Sequence, residues 1–301
     1  MRAAPLPLLF VAPFAYLLAC ACAAALLAYP FHFITGDALS FHTLVNRGAS
    51  LILALGLFPL GRWLGIAKSD LGLATGQGQF FRQVGRGFAF GALMMGVHVM
   101  LLLSLEARIV RESGLEPARI FRMALKGLLI GLAVASIEEP VFRGFLFGSL
   151  SRKTTRTKAV LISAFYFAAL HFLTTDIRPA AGEVRWNTGL IMVLDAFRHV
   201  SRMQFDSFLA LFSAGAFLAC VRLLVPASGL GYCIGLHAGW VFIIKTAKPL
   251  TKRAAETHFP DLVSRFDGII GYLSTAWISV MILLLIVGIR IKAKEAPSAT
   301  P

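Results

Sequence analysis

Charge is scarce in this chain. Only 15% of its 301 residues are Asp, Glu, Lys or Arg, against 57% hydrophobic, a balance that excludes an ordinary soluble domain and makes lipid the solvent for most of the sequence. Acidic residues are scarcer still: 15 Asp and Glu stand against 29 Lys and Arg, for a formal net charge of +14. The basic residues fall in short clusters between apolar runs rather than on one polar face. They therefore mark loop topology and contact with anionic headgroups of membrane lipids, and speak against nucleic acid as a partner. Cysteine is down to four residues, Cys20, Cys22, Cys220 and Cys233, all inside apolar stretches, which leaves neither a disulfide framework nor a CxxC metal knuckle. The run Leu17-Leu18-Ala19-Cys20 has the look of a bacterial lipobox, but the chain stays apolar through Ala28, so Cys20 is expected to be a membrane-core residue rather than a lipidation site. Internal repeats, low-complexity tracts and an HExxH metalloprotease helix are also absent.

What remains is a series of apolar runs. A helix needs about 20 residues to cross a bilayer, and stretches of that character lie near 5–29, 49–67, 86–105, 123–150, 158–175, 206–225, 228–245 and 269–291. The expected fold is all-α, a polytopic transmembrane helix bundle of about eight helices forming a single integral membrane domain over 1–301. Breakers and charge gather between the runs, as at Lys68-Ser69-Asp70, Arg108 to Pro117, Ser151 to Lys158 and Pro226-Ala227-Ser228-Gly229. Two connections are longer. Residues 176–205 contain Trp186, His199 and an amphipathic stretch, and 246–268 start basic and contain Pro249 and Pro260; such segments can lie on the interface or cover a site. The basic loop at 151–158 and the tail with Arg290, Lys292 and Lys294 favour both termini in the cytoplasm. The expected location is multi-pass, in a bacterial inner (cell) membrane.

The fourth apolar run is interrupted by chemistry: Ser136-Ile137-Glu138-Glu139-Pro140-Val141-Phe142-Arg143-Gly144. An ionised group near the bilayer centre costs about 2.5–3.5 kcal/mol on insertion scales, so three in one segment imply a protein-lined or wet pocket. On a helix Glu139 and Arg143 are i and i+4 and can pair, whereas Glu138 points about 100° away and is left for another partner. Pro140 removes a backbone donor and crowds the turn at Ser136, so a kink or local opening is expected beside the carboxylates. A buried ion pair locking helix to helix would account for Glu139 and Arg143, but leaves Glu138 unexplained. The fifth run carries Phe167 and His171 at i and i+4, where the ring can fix the imidazole. The seventh carries Gly235-Leu236-His237-Ala238-Gly239, whose small residues admit a close neighbouring helix. Taken singly, either histidine is as well explained by packing; three separate runs each bearing a costly polar patch point to one shared pocket. A carboxylate and two imidazoles permit two chemistries: a divalent metal such as zinc held by Glu138, His171 and His237, or metal-free activation of water by Glu138 with no cofactor.

The ordered set Glu138-Glu139 with Arg143, then Phe167 with His171, then His237 resembles the CPBP (Abi) family of intramembrane proteases, which includes CAAX prenyl endopeptidases and bacteriocin-processing proteins. The likeness covers about 123–245 and makes that stretch the expected protease core. It implies Glu138 as the water-activating catalytic residue, His171 working with it, His237 stabilising the oxyanion, and Glu139, Arg143 and Phe167 in support. The implied substrate is a membrane-associated peptide or protein entering from the membrane. One position departs from the pattern: the family commonly has Asn or Asp four residues after the last histidine, and this chain has Val241. That departure supports a competing function, a catalytically impaired membrane binding or chaperone protein using the same pocket. A proton-coupled transporter also uses intramembrane Glu and His, but no paired broken helices stand in matching halves. His32, His42, His98, His199 and His258 carry no expected role, and Phe80-Phe81 and Trp186 are expected as interfacial anchors.

Overall fold

The computed structural model describes residues 6–63, 65–111, 116–224, 229–255, 259–264 and 266–295. Seven helical spans among the described residues are long and apolar enough to cross a membrane, and the chain is an all-α, multi-pass integral membrane protein. Its contacts divide it into two compact units, one of residues 1–71 with 137–203, the other of 72–136 with 204–301.

The first unit begins with α1 (Leu6–Thr35) and α2 (Phe41–Trp63). These two pack where Ala24 meets Gly48, and Tyr16 donates its hydroxyl to the Leu53 carbonyl at 2.9 Å. The chain returns to this unit at the end of α4 (Pro117–Glu139), continues through a π-helical turn at Pro140–Leu146 into α5 (Phe147–Lys153), and then forms α6 (Arg156–Leu170). Pro140 therefore has a different effect from a simple kink. The helix continues in the wider i→i+5 register, which avoids the clash of the proline ring with the turn before it. α6 has 15 residues, about 22 Å of helix, and is not among the seven spans. Its first turn is capped by Thr155, whose hydroxyl accepts from the Lys158 amide at 3.3 Å.

The segment at 176–205 holds α7 (Thr188–His199). Gly189 on it lies so close to α1 that a Cβ would sit 2.5 Å from the Ala25 carbonyl oxygen. Ala28, Phe41, Val45 and Met192 form the local core.

The second unit contains α3 (Gln77–Ser104), the body of α4, α8 (Phe205–Leu224), α9 (Gly229–Leu250) and α10 (Tyr272–Glu295). Its tightest seam joins α3 to α9 through two Gly-x-x-x-Gly pairs, Gly87 with Gly91 and Gly235 with Gly239. A Cβ on Gly87 would stand 2.6 Å from the Tyr232 carbonyl oxygen, and one on Gly239 2.5 Å from that of Phe88. Backbones in such contact have no room for a side chain, which is how helices pack where lipid removes the hydrophobic drive. α4 joins the same helix from another side, with Gly131 against the Ala238 carbonyl at 2.5 Å.

Two short strands, β1 (Arg108–Val110) and β2 (Thr251–Arg253), pair antiparallel in connections that sequence patterns present as loops. Arg108 is buried and donates to Thr251 Oγ1 at 2.8 Å, to the Thr251 carbonyl at 2.9 Å, and to the Gly268 carbonyl. Burial lowers its pKa from the ordinary guanidinium value.

Candidate active site

Five of the six expected residues fall in the first unit: Glu138, Glu139, Arg143, Phe167 and His171. Their side chains occupy two tiers. Glu139 and Arg143 are fully buried and paired, Arg143 Nη1 donating to Glu139 Oε1 at 3.2 Å. The guanidinium lies over the Phe167 ring, 4.3 Å from its centroid, with Phe142 at 5.6 Å. Phe142 and Phe167 meet edge to face, their centroids 5.3 Å apart, and Ser163 donates to the Phe142 carbonyl at 3.2 Å. A desolvated cation over an aromatic face gains about 2 kcal/mol, so this tier is a rigid floor of one ion pair and two rings.

Above it lies a cavity of about 320 Å³. Glu138, pointing away from Glu139 as its helical position requires, lines this cavity together with His171. The Glu138 Oε2 atom is buried and has no hydrogen-bond partner among the described residues. His171 ends α6 and donates from Nδ1 to the Phe167 carbonyl at 2.6 Å, with its ring 4.7 Å from the Phe167 ring. A carbonyl can only accept, so the Nδ1 proton is fixed and Nε2 is left as the basic nitrogen.

Three polar residues at this cavity escaped the sequence argument: Asn46 and Ser50 on α2, and Thr175 after α6. Asn46 and Ser50 are i and i+4 on α2, the spacing that could have exposed them. Thr175 ties the loop to α7. Its hydroxyl donates to Asp195 Oδ2 at 2.6 Å, and next to it Asp176 accepts from His199 Nε2 at 2.7 Å. The Thr175 hydroxyl lowers the Asp195 pKa, and the bond to Asp176 raises that of His199. α7 contributes Met192, Val193, Ala196 and Phe197 to the cavity wall, so the amphipathic connection lines this cavity. Cys20 also lines it, buried within α1.

His237 belongs to the second unit. It sits on α9 between Gly235 and Gly239, 5% exposed, with Val241 one turn further on. Of the remaining histidines, His98 is a packing residue held to the Ile269 carbonyl at 3.2 Å and to Ser274 at 3.0 Å; His32 is packed among Phe33 and Phe41; His258 lies outside the described residues. Among the described residues no three or more His, Cys, Asp and Glu side chains gather so as to hold a metal ion.

Compared with known proteins, residues 120–243 match the family model described as type II CAAX prenyl endopeptidase Rce1-like. This stretch is similar to the Rce1-like type II CAAX prenyl endopeptidases. The match runs from α4 to α9 and takes in every residue on which the resemblance rested, and it indicates a membrane protease. No curated protein and no solved structure matches the chain.

Proposed function

We propose that the chain is an intramembrane endopeptidase that hydrolyses a peptide bond in a membrane-associated protein or peptide, with Glu138 activating the water. The observation that carries this is the meeting, at one cavity, of a buried carboxylate oxygen with no hydrogen-bond partner among the described residues and an imidazole whose tautomer is already set. Glu139 does not compete for the role, because it is paired with Arg143 in the floor.

In the proposed reaction a water molecule sits between Glu138 Oε2 and His171 Nε2. Glu138 takes one proton, His171 accepts a hydrogen bond from the other, and the water oxygen bonds to the scissile carbonyl carbon while the C=O pair moves onto oxygen. His237 is assigned to that oxyanion by the family resemblance. Collapse breaks the C–N bond, the leaving nitrogen takes the proton from Glu138, and a carboxylic acid and an amine result. The substrate enters from the membrane, and the bacterial cell membrane as its location is part of the proposal.

The test compares the new N- and C-termini of membrane-associated proteins in cells making the wild type or Glu138→Gln at matched levels. A cleavage present with the wild type and lost with Glu138→Gln supports the proposal; the same cleavages in both refute it. Treating wild-type membranes with a chelator separates the two chemistries, since the metal-free path survives it. Identical termini from both, with a peptide still bound by the purified wild type, favour the binding protein that Val241 would suit.

A further inference from the structure

Beside the first cavity, and within the same unit, lies a second chamber of about 350 Å³. This volume is within the range of about 300–1,000 Å³ typical of ligand sites. Its lining comes from α1, α2, the π-turn, α5 and α6 and is mostly hydrocarbon. Neither Glu138 nor His171 lines it.

Ser149 and Lys153 bring polar groups to this lining. They are i and i+4 on α5, one above the other on a single face. The Ser149 hydroxyl is buried and has no hydrogen-bond partner among the described residues. That is unusual, because a serine inside a helix ordinarily donates to the carbonyl one turn back. By contrast the Tyr16 hydroxyl, also at this chamber, is taken up by Leu53. Lys153 is exposed and has no carboxylate partner among the described residues, while its neighbour Arg152 is paired with Asp70 at 3.2 Å. Trp63, also on the lining, is 81% exposed; an indole so placed is the kind that anchors at headgroup level.

A hydrocarbon chamber, a buried donor without an acceptor, a free cation and an indole together describe an amphiphile with an apolar tail, a polar link that accepts a hydrogen bond, and a negative head. We propose that the chamber binds a membrane phospholipid with an anionic headgroup. One acyl chain fills the space along Leu57, Leu60 and Phe145, the Ser149 hydroxyl donates to the ester carbonyl, and Lys153 meets the headgroup. The proposal is independent of proteolysis, since it uses no residue assigned to the reaction.

The test is native mass spectrometry of the purified full chain titrated with phosphatidylglycerol or with phosphatidylcholine of the same acyl composition. Wild type is expected to retain phosphatidylglycerol preferentially. Lys153→Gln lowers its affinity about 5-fold, the effect of one basic residue at a lipid headgroup, and narrows the preference over phosphatidylcholine. Ser149→Ala weakens both lipids. Ala12→Trp and Leu57→Trp, which fill the chamber, remove retention; should either misfold, the two α5 variants decide alone. Equal affinity for both lipids, unaffected by Lys153→Gln and Ser149→Ala, overturns the proposal. So does a prenylated peptide, and no phospholipid, being displaced by the tryptophan variants.

Discussion

Replacing Arg143 by Met should cost this protein more stability than any other single change in the floor of the cavity. Both members of the Glu139–Arg143 pair are 0% exposed, so methionine fills much of the volume but leaves a buried carboxylate without its cation. Breaking one partner of such a pair costs about 3–5 kcal/mol, and the lost stacking on Phe167, 4.3 Å away, falls within that sum. The companion change, Glu139→Gln with Arg143→Met, removes both charges and should recover most of the loss, because paired buried charges are often no better than well-packed neutral groups. Unfolding each variant in mixed micelles by SDS titration completes a double-mutant cycle, with an expected coupling of about 2 kcal/mol or more between neighbours of this kind. The Phe167 ring also packs against His171, so Arg143→Met should lower turnover even at temperatures where the protein stays folded. If Arg143→Met unfolds within about 1 kcal/mol of wild type, or if the double variant is no more stable than it, the electrostatic account of the floor is wrong.

The seam between α3 and α9 predicts that Gly87→Ala and Gly235→Ala each destabilise by about 1–3 kcal/mol in the same unfolding assay, whereas Gly96→Ala, with nothing within 4 Å of its Cβ position, is neutral or better. The clasp between the loop after α6 and α7 should depend on pH. His199 has a raised pKa, so its contribution is complete below the ordinary value of 6.5 and is lost as pH rises through the higher value it has in the fold. Amide protection near Asp176, after correction for the intrinsic exchange rate at each pH, should fall over that rise and stay level in His199→Gln. Asp195 has the opposite sign: its pKa is lowered, so its contribution is complete above the ordinary value of 3.8 and is lost as pH falls through the lower value it has in the fold. Finally, if Val241 stands where an oxyanion donor is wanted, Val241→Asn should raise kcat, by up to about 100-fold, with KM little changed; an unaltered kcat removes that explanation.

Much of this site was legible from spacing, because a helix turns residue number into direction. The i to i+4 relation brought Glu139 to Arg143 and left Glu138 facing elsewhere, and the glycines around His237 announced a backbone contact. The identity of the other backbone was not legible, since Gly87 and Gly91 are one small-residue pair among many glycines until packing selects them. Pro140 signalled a disturbance, but a π-turn and a kink answer the same missing donor, and only the surrounding packing chooses between them. Asn46, Ser50 and Thr175 look like ordinary polar residues until α1, α2 and α7 enclose the cavity they share. The β1–β2 pairing rests on Arg108 reaching residues more than 140 positions away, a relation no local pattern records.

The π-turn has a consequence for how one rod serves two compartments. Glu138 and Ser149 are eleven residues apart, which on a uniform α-helix would be three full turns and roughly 20° more, placing both on one face. The wider turn between them takes in an additional residue and shifts the phase by about 100°. Glu138 accordingly meets the cavity it shares with His171, while Ser149 and Lys153 meet the hydrocarbon chamber. A change of register inside an unbroken span thus does what a loop does elsewhere, keeping the Glu138 carboxylate and the face of Ser149 and Lys153 on separate sides of the same piece of chain.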